Sequence, residues 1–135
     1  MIHFTFPFAG VQGIKTFAKA LRQWPEKYGK RKATLYLAHT IRMQEEVGTG
    51  GGGFRLMYAA FLHEAARITG DDRYLEMSKR MRAIGNNWRE FAALGARIIK
   101  NRASEGDNYV SLSHTLLECA GKEYQFYKDL WEIVK

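Results

Sequence analysis

Residues 48–53, GTGGGG, place five glycines within six positions directly ahead of the run FRLMYAAFLHEAARIT. Glycine loses more backbone freedom on ordering than any other residue, so such a segment is either left loose or held for a purpose. The run behind it has helical period. Stepped at about 100° per residue, Phe54, Met57, Tyr58, Phe61, Ala65 and Ile68 gather on one stripe, with Ala59, Leu62 and Ala66 alongside. Only Arg55, His63, Glu64 and Arg67 are strongly polar between residues 54 and 68, so the helix is expected to be central to the domain. The glycine segment then reads as a loop entering the middle of the fold, and not as a linker between domains.

The rest of the chain extends the helical pattern. No stretch holds period-2 alternation beyond FTFPF near the start, and residues 1–9 read as an extended arm or linker, with Pro7 holding Phe6 out of helix. From Gly13, Ile14, Phe17, Ala18, Leu21 and Trp24 recur at helical spacing until Pro25, which is expected to stop the run. A second helix is expected over Lys32 to Glu46, and the third from Gly53 or Phe54 to a cap at Gly70. The fourth starts after Asp71-Asp72, whose carboxylates suit a helix N-terminus, and runs to about Lys100, kinked or split by Gly85-Asn86-Asn87. After a turn at ASEGDN, residues 103–108, a last helix spans about Tyr109 to Val134. The expected fold is all-α, with residues 10–135 as a single bundle of five to six helices.

A chain of 135 residues, 46% hydrophobic and 26% charged, is long enough for one buried core and is neither disordered nor membrane-like in composition. Its apolar stretches fall well short of the roughly 20 residues needed to span a bilayer. Residues 1–14 hold no Lys or Arg, so they lack the basic start of a signal or transit peptide. A lone Cys119 excludes an internal disulfide framework and suits a reducing, cytoplasmic setting. The net charge of +7 is concentrated: Lys15, Lys19, Arg22, Lys27, Lys30, Arg31, Lys32 and Arg42 face only Glu26 between residues 15 and 42. That block is either a solvated helix face or a surface that steers the domain toward an acidic partner, with Lys27, Lys30, Arg31 and Lys32 at its centre.

The candidate chemistry centres on the loop. Free N–H groups of Gly48, Thr49, Gly50, Gly51, Gly52 and Gly53, at the positive end of a helix dipole, suit a phosphate or carboxylate. No strand precedes them and no Gly-Lys-Ser/Thr follows, so a P-loop is excluded, and a dinucleotide fingerprint fails for want of a βαβ context. Two alternatives stay open: an anion or acyl-group site of backbone amides, or a packing device that lets another backbone come close. Arg55 bears on the choice. Half buried on the flank of the apolar stripe, it needs a carboxylate or phosphate, either an internal carboxylate (Glu45, Glu46 or Glu64) or a ligand anion.

Other constellations are weaker. His63-Glu64 lacks the second histidine of a zinc-protease helix, Arg67 standing in its place, and the remaining histidines have no ligand spacing, so neither metal nor cofactor is expected. Cys119 and His114 point to different sides of one helix, and a buried core thiol accounts for the cysteine. Trp88 and Arg89 form either a stacking element or, for the tryptophan, part of the core. No catalytic residue can be named. The aromatics are core-spaced and not interleaved with the basic block, which argues against a nucleic-acid platform.

The run GTGGGGFRLMYAAFLHEAA, residues 48–66, with WREFA, residues 88–92, resembles a helical domain of unknown function. That domain lies C-terminal to a cysteine-protease-like domain in proteins similar to the butirosin-biosynthesis acyltransferase. The resemblance implies an acyltransferase setting, in which an acyl group passes from a carrier protein to an amine through a cysteine of the N-terminal domain. It carries over the Gly48 to Gly53 loop, Arg55, Tyr58, Phe61 and Glu64 as family pattern, without assigned roles. No matching nucleophile is present, so the chain is expected to be a C-terminal module, with Met1 to Ala9 as the tail of an interdomain connection. The expected function is a non-catalytic accessory domain that binds substrate, an acidic acyl-carrier protein or the N-terminal cysteine-protease-like domain. The alternatives are an oligomerisation module, such as a homodimer, and a basic nucleic-acid-binding domain.

Overall fold

A computed structural model describes residues 10–48 and 50–135, and the arm expected over residues 1–9 lies outside the described residues. Four helices follow one another, not five to six: α1 Gly10–Glu45, α2 Arg55–Thr69, α3 Asp72–Ile99 and α4 Tyr109–Val134. The all-α class stands, and no strand occurs among the described residues.

The count falls because the first expected break is moved from Pro25 to Gly29, across which α1 runs as one folded element, and the second is absent. Helix α1 continues through Pro25, and its one non-helical residue is Gly29, at φ 81° and ψ 162°. A proline removes one donor and crowds one carbonyl, which a helix anchored on both sides absorbs. Leu21 before it and Ala33 and Leu37 after it are fully buried. Gly29, lacking a Cβ, instead adopts backbone angles reserved for glycine. The fold at that point is sharp. Trp24 and Tyr36 would stand roughly 18 Å apart along a straight helix, yet their ring centroids are 5.9 Å apart. Helix α1 is thus two arms folded at Gly29.

Helix α3 runs unbroken through Gly85-Asn86-Asn87. Gly85 is buried, and a Cβ there would sit 2.7 Å from Leu56 Cδ2, so the position serves close approach and not interruption. Gly95 plays the same part where α1 crosses α3, with Ile41 Cδ1 only 2.2 Å from a hypothetical Cβ.

Several ends form as their residues dictate. The Gly70 N–H donates to Ala66 O in the left-handed cap of α2. The Asp71 carboxylate accepts from Arg73 N, and Asn108 Oδ1 from Ser111 N, opening α3 and α4.

The core lies between α1, α3 and α4, around Leu21, Leu37, Met81, Phe91, Leu112, Leu116 and Phe126. Its buried hydroxyls are satisfied: Ser78 donates to Ala59 O and Ser113 to Ala18 O. Helix α2 is not central. Its backbone lies against α3 alone, and only Ala59 and Leu62 are buried. Phe54, Met57, Phe61 and Ile68 of the predicted stripe are exposed. Short Ala59 brings the helix close to α3, and the bulky stripe is turned outward. Among the described residues no helix is long and apolar enough to cross a membrane.

Candidate functional site

The loop between α1 and α2 is held from below by the last turn of α1. The Glu45 carboxylate accepts the Gly52 N–H at 3.2 Å to each oxygen. Gln44 Nε2 donates to Glu45 Oε1 and to Trp88 O, both at 2.8 Å, which ties the end of α1 to α3. The Gly53 N–H donates to Gln44 O at 3.3 Å. Backbone angles are left-handed from Gly50 to Phe54, and Gly51 and Gly52 are buried. Thr49 lies outside the described residues. Gly48 and Gly50 are exposed, and Gly53 is half-buried.

Arg55 then joins three helices to the loop. Its Nε and Nη2 donate to the two oxygens of Glu123 on α4, and its Nη1 to Gly53 O at 2.9 Å. The guanidinium carbon lies 4.2 Å from the centroid of the Trp88 ring on α3. The Glu123 side chain is 3% exposed and that of Arg55 23%, so this is a bidentate pair taken largely out of water. The carboxylate is none of the three named from sequence. Glu45 is taken up by Gly52, Glu46 lies beside Arg42, and Glu64 pairs with Arg67.

Glu123 was the residue that sequence reasoning missed. A signal for it exists: Leu112, Leu116, Cys119, Glu123 and Phe126 alternate three and four apart, and all are buried. A carboxylate inside an apolar stripe requires a cation.

Neighbouring groups carry the mark of this enclosure. Cys119 is fully buried, and burial, reinforced by the negative charge of Glu123, pushes its thiol up to about 12. Tyr58 stacks on Phe61 and meets Phe126 edge-on, and burial raises its hydroxyl above the usual range. Trp88 packs edge-on against Phe91 as part of the core. Among the described residues no three His, Cys, Asp or Glu side chains come together as a metal would require.

The basic block lies elsewhere. Lys27, Lys30, Arg31 and Lys32 flank the fold at Gly29, all exposed, and among the described residues none is in an ion pair. Lys27 stands 5.3 Å over the Tyr28 ring. Beside them an open groove is lined by Phe17, Trp24, Leu35, Tyr36, His39 and Thr40. Edge-on contacts join Phe17 to Trp24 and Trp24 to Tyr36 in its wall, and Tyr28 packs edge-on against Tyr36.

Fold and site together define a helical domain with a clamped glycine loop and one cationic stretch. The chain belongs to the family described as a domain of unknown function, DUF4872, whose profile matches residues 1–130. Neither a curated protein nor a solved structure matches it.

Proposed function

We propose that this chain is a non-catalytic accessory domain of an acyltransferase-like biosynthetic protein, and that the cationic stretch around the Gly29 fold of α1 docks an acidic acyl-carrier protein. The observation that carries this reading is the gathering of Lys27, Lys30, Arg31 and Lys32 at the Gly29 fold, exposed and without carboxylate partners, beside an aromatic groove. Unpaired cations around an apolar patch suit a partner that is acidic with an apolar centre, since charge steers the encounter and burial of the rings holds it. The acyltransferase setting, with a cysteine-protease-like domain to supply the nucleophile, rests on the resemblance of residues 48–66 and 88–92. Cys119 supports a non-catalytic role: a fully buried thiol with a pKa of about 12 is a poor nucleophile at neutral pH.

The glycine loop is structural in this reading. The Gly52 amide and the Arg55 guanidinium, which an anion would engage, are bound by Glu45 and Glu123.

The test is titration of this chain with an acidic holo acyl-carrier protein. Binding is expected to be micromolar and to weaken with salt. The Lys30→Glu, Arg31→Glu, Lys32→Glu triple variant, checked for unchanged helicity, is expected to bind at least tenfold more weakly. Unchanged affinity in that variant would remove the proposal.

A further inference from the structure

A second surface is independent of the cationic stretch. Helix α2 turns Phe61 (62% exposed), Met57 (54%) and Ile68 (71%) outward. On α4, Tyr124, Tyr127 and Trp131 recur three and four residues apart, and they are exposed by 54%, 42% and 45%. The two stripes are one surface. Phe61 stacks on Tyr58 with centroids 5.9 Å apart, Tyr58 meets Phe126 at 6.3 Å, and Phe126 meets Tyr127 at 5.1 Å. Aromatic side chains each present about 150–250 Å², so half-exposed rings leave roughly 100 Å² apiece. Four such rings, with Met57 and Ile68 exposed to a similar extent, amount to roughly 600 Å², at the top of what a monomer's largest apolar patch usually reaches. It approaches the roughly 800 Å² that each partner contributes to a stable interface.

We propose that this aromatic face of α2 and the C-terminal half of α4 pairs with the same face of a second copy, making the protein a twofold homodimer. A self-complementary interface must not repel itself. The six residues are uncharged, and the charged residues interspersed with them carry both signs, Glu64 and Arg67 on α2 and Lys128 and Asp129 on α4, whereas the excess of +7 lies entirely within residues 15–42 on α1, whose backbone touches α4 but not α2. Two copies therefore meet through a face without net charge of one sign. The symmetric arrangement places each Phe61 against rings of the other copy, the isologous contact that closed dimers use.

Sedimentation equilibrium on the full chain tests this. The wild type is expected to move from 15.5 kDa toward twice that mass through the micromolar range. Phe61→Glu, and independently Tyr127→Ser, are expected to remain monomeric with unchanged circular dichroism. Lys30→Glu with Arg31→Glu is expected to dimerise as the wild type does. A monomer at every concentration would overturn the proposal, as would a dimer that survives both Phe61→Glu and Tyr127→Ser.

Discussion

Gly52 rests against the backbone of Gly85: a Cβ on Gly52 would lie 3.0 Å from Gly85 O and 3.3 Å from Gly85 Cα. Two glycines facing each other from a loop and a helix let α2 enter directly beside α3, and neither can yield, because what meets the loop is main chain. Gly52→Ala therefore combines a left-handed φ of 61° with a backbone clash. The expected loss is about 2–3 kcal/mol. At Gly48, φ is 70° but a Cβ meets nothing within 4 Å, so Gly48→Ala carries only the left-handed penalty of about 1 kcal/mol. Urea unfolding of the two variants checks the order, and equal midpoints would contradict the packing role given to the loop.

The Arg55–Glu123 pair predicts an asymmetric response. Removing Arg55 leaves a carboxylate that is 3% exposed without its cation, whereas removing Glu123 leaves a guanidinium 23% exposed that keeps Gly53 O and the Trp88 face. Arg55→Ala is expected to lose about 3–5 kcal/mol and Glu123→Ala distinctly less. The double variant Arg55→Met, Glu123→Leu is expected to recover most of the loss, since apolar replacement of a buried pair is often neutral. A denaturation double-mutant cycle measures all three.

Glu123 also marks where the sequence could be read and where it could not. The caps at Gly70 and Asp71 and the span of α4 are legible in the sequence, because each rests on local chemistry. The pairing partner was not visible: 68 positions separate Arg55 from Glu123, and only packing brings them together. Periodicity finds an apolar stripe on α2 and points to it as the core face, but Ala59 and Leu62 beside it are the buried residues, since spacing reveals which face is apolar and says nothing of what lies against it. The glycines at 29 and 85 misled in opposite directions. Gly85 has the local signature of a break but is a contact point, while the break at Gly29 was assigned to the more conspicuous Pro25.

Cys119 predicts a pH dependence. Its thiol is raised from 9.0 to about 12 by burial, so the folded chain holds that proton after the unfolded chain has released it. The stability this contributes is fully present below pH 9 and is lost as pH rises toward about 12. Tyr58 and Tyr127, raised chiefly by burial, act in the same direction. Unfolding midpoints are expected to fall from pH 9 upward, less so in Cys119→Ala. At neutral pH a thiol reagent is expected to label the native chain only as fast as it unfolds. Rapid labelling would show the thiol to be accessible.

Positions 25 and 29 should respond with opposite signs. Gly29 holds φ 81° and ψ 162°, and a Cβ there meets nothing within 4 Å, so the strain of a side chain is purely that of the backbone. Gly29→Ala is expected to lose about 1–3 kcal/mol, or to straighten α1 at that point. Straightening would part Trp24 from Tyr36. Pro25→Ala instead restores a helix donor and relieves the crowded carbonyl of Leu21, so it is expected to raise the melting temperature. Calorimetry separates the two, and Trp24 emission reports the arms: Gly29→Ala is expected to shift it to the red and Pro25→Ala to leave it unchanged. A Gly29→Ala variant with wild-type stability and emission would mean that the arms of α1 are held by their packing alone, with no need of a glycine at the fold.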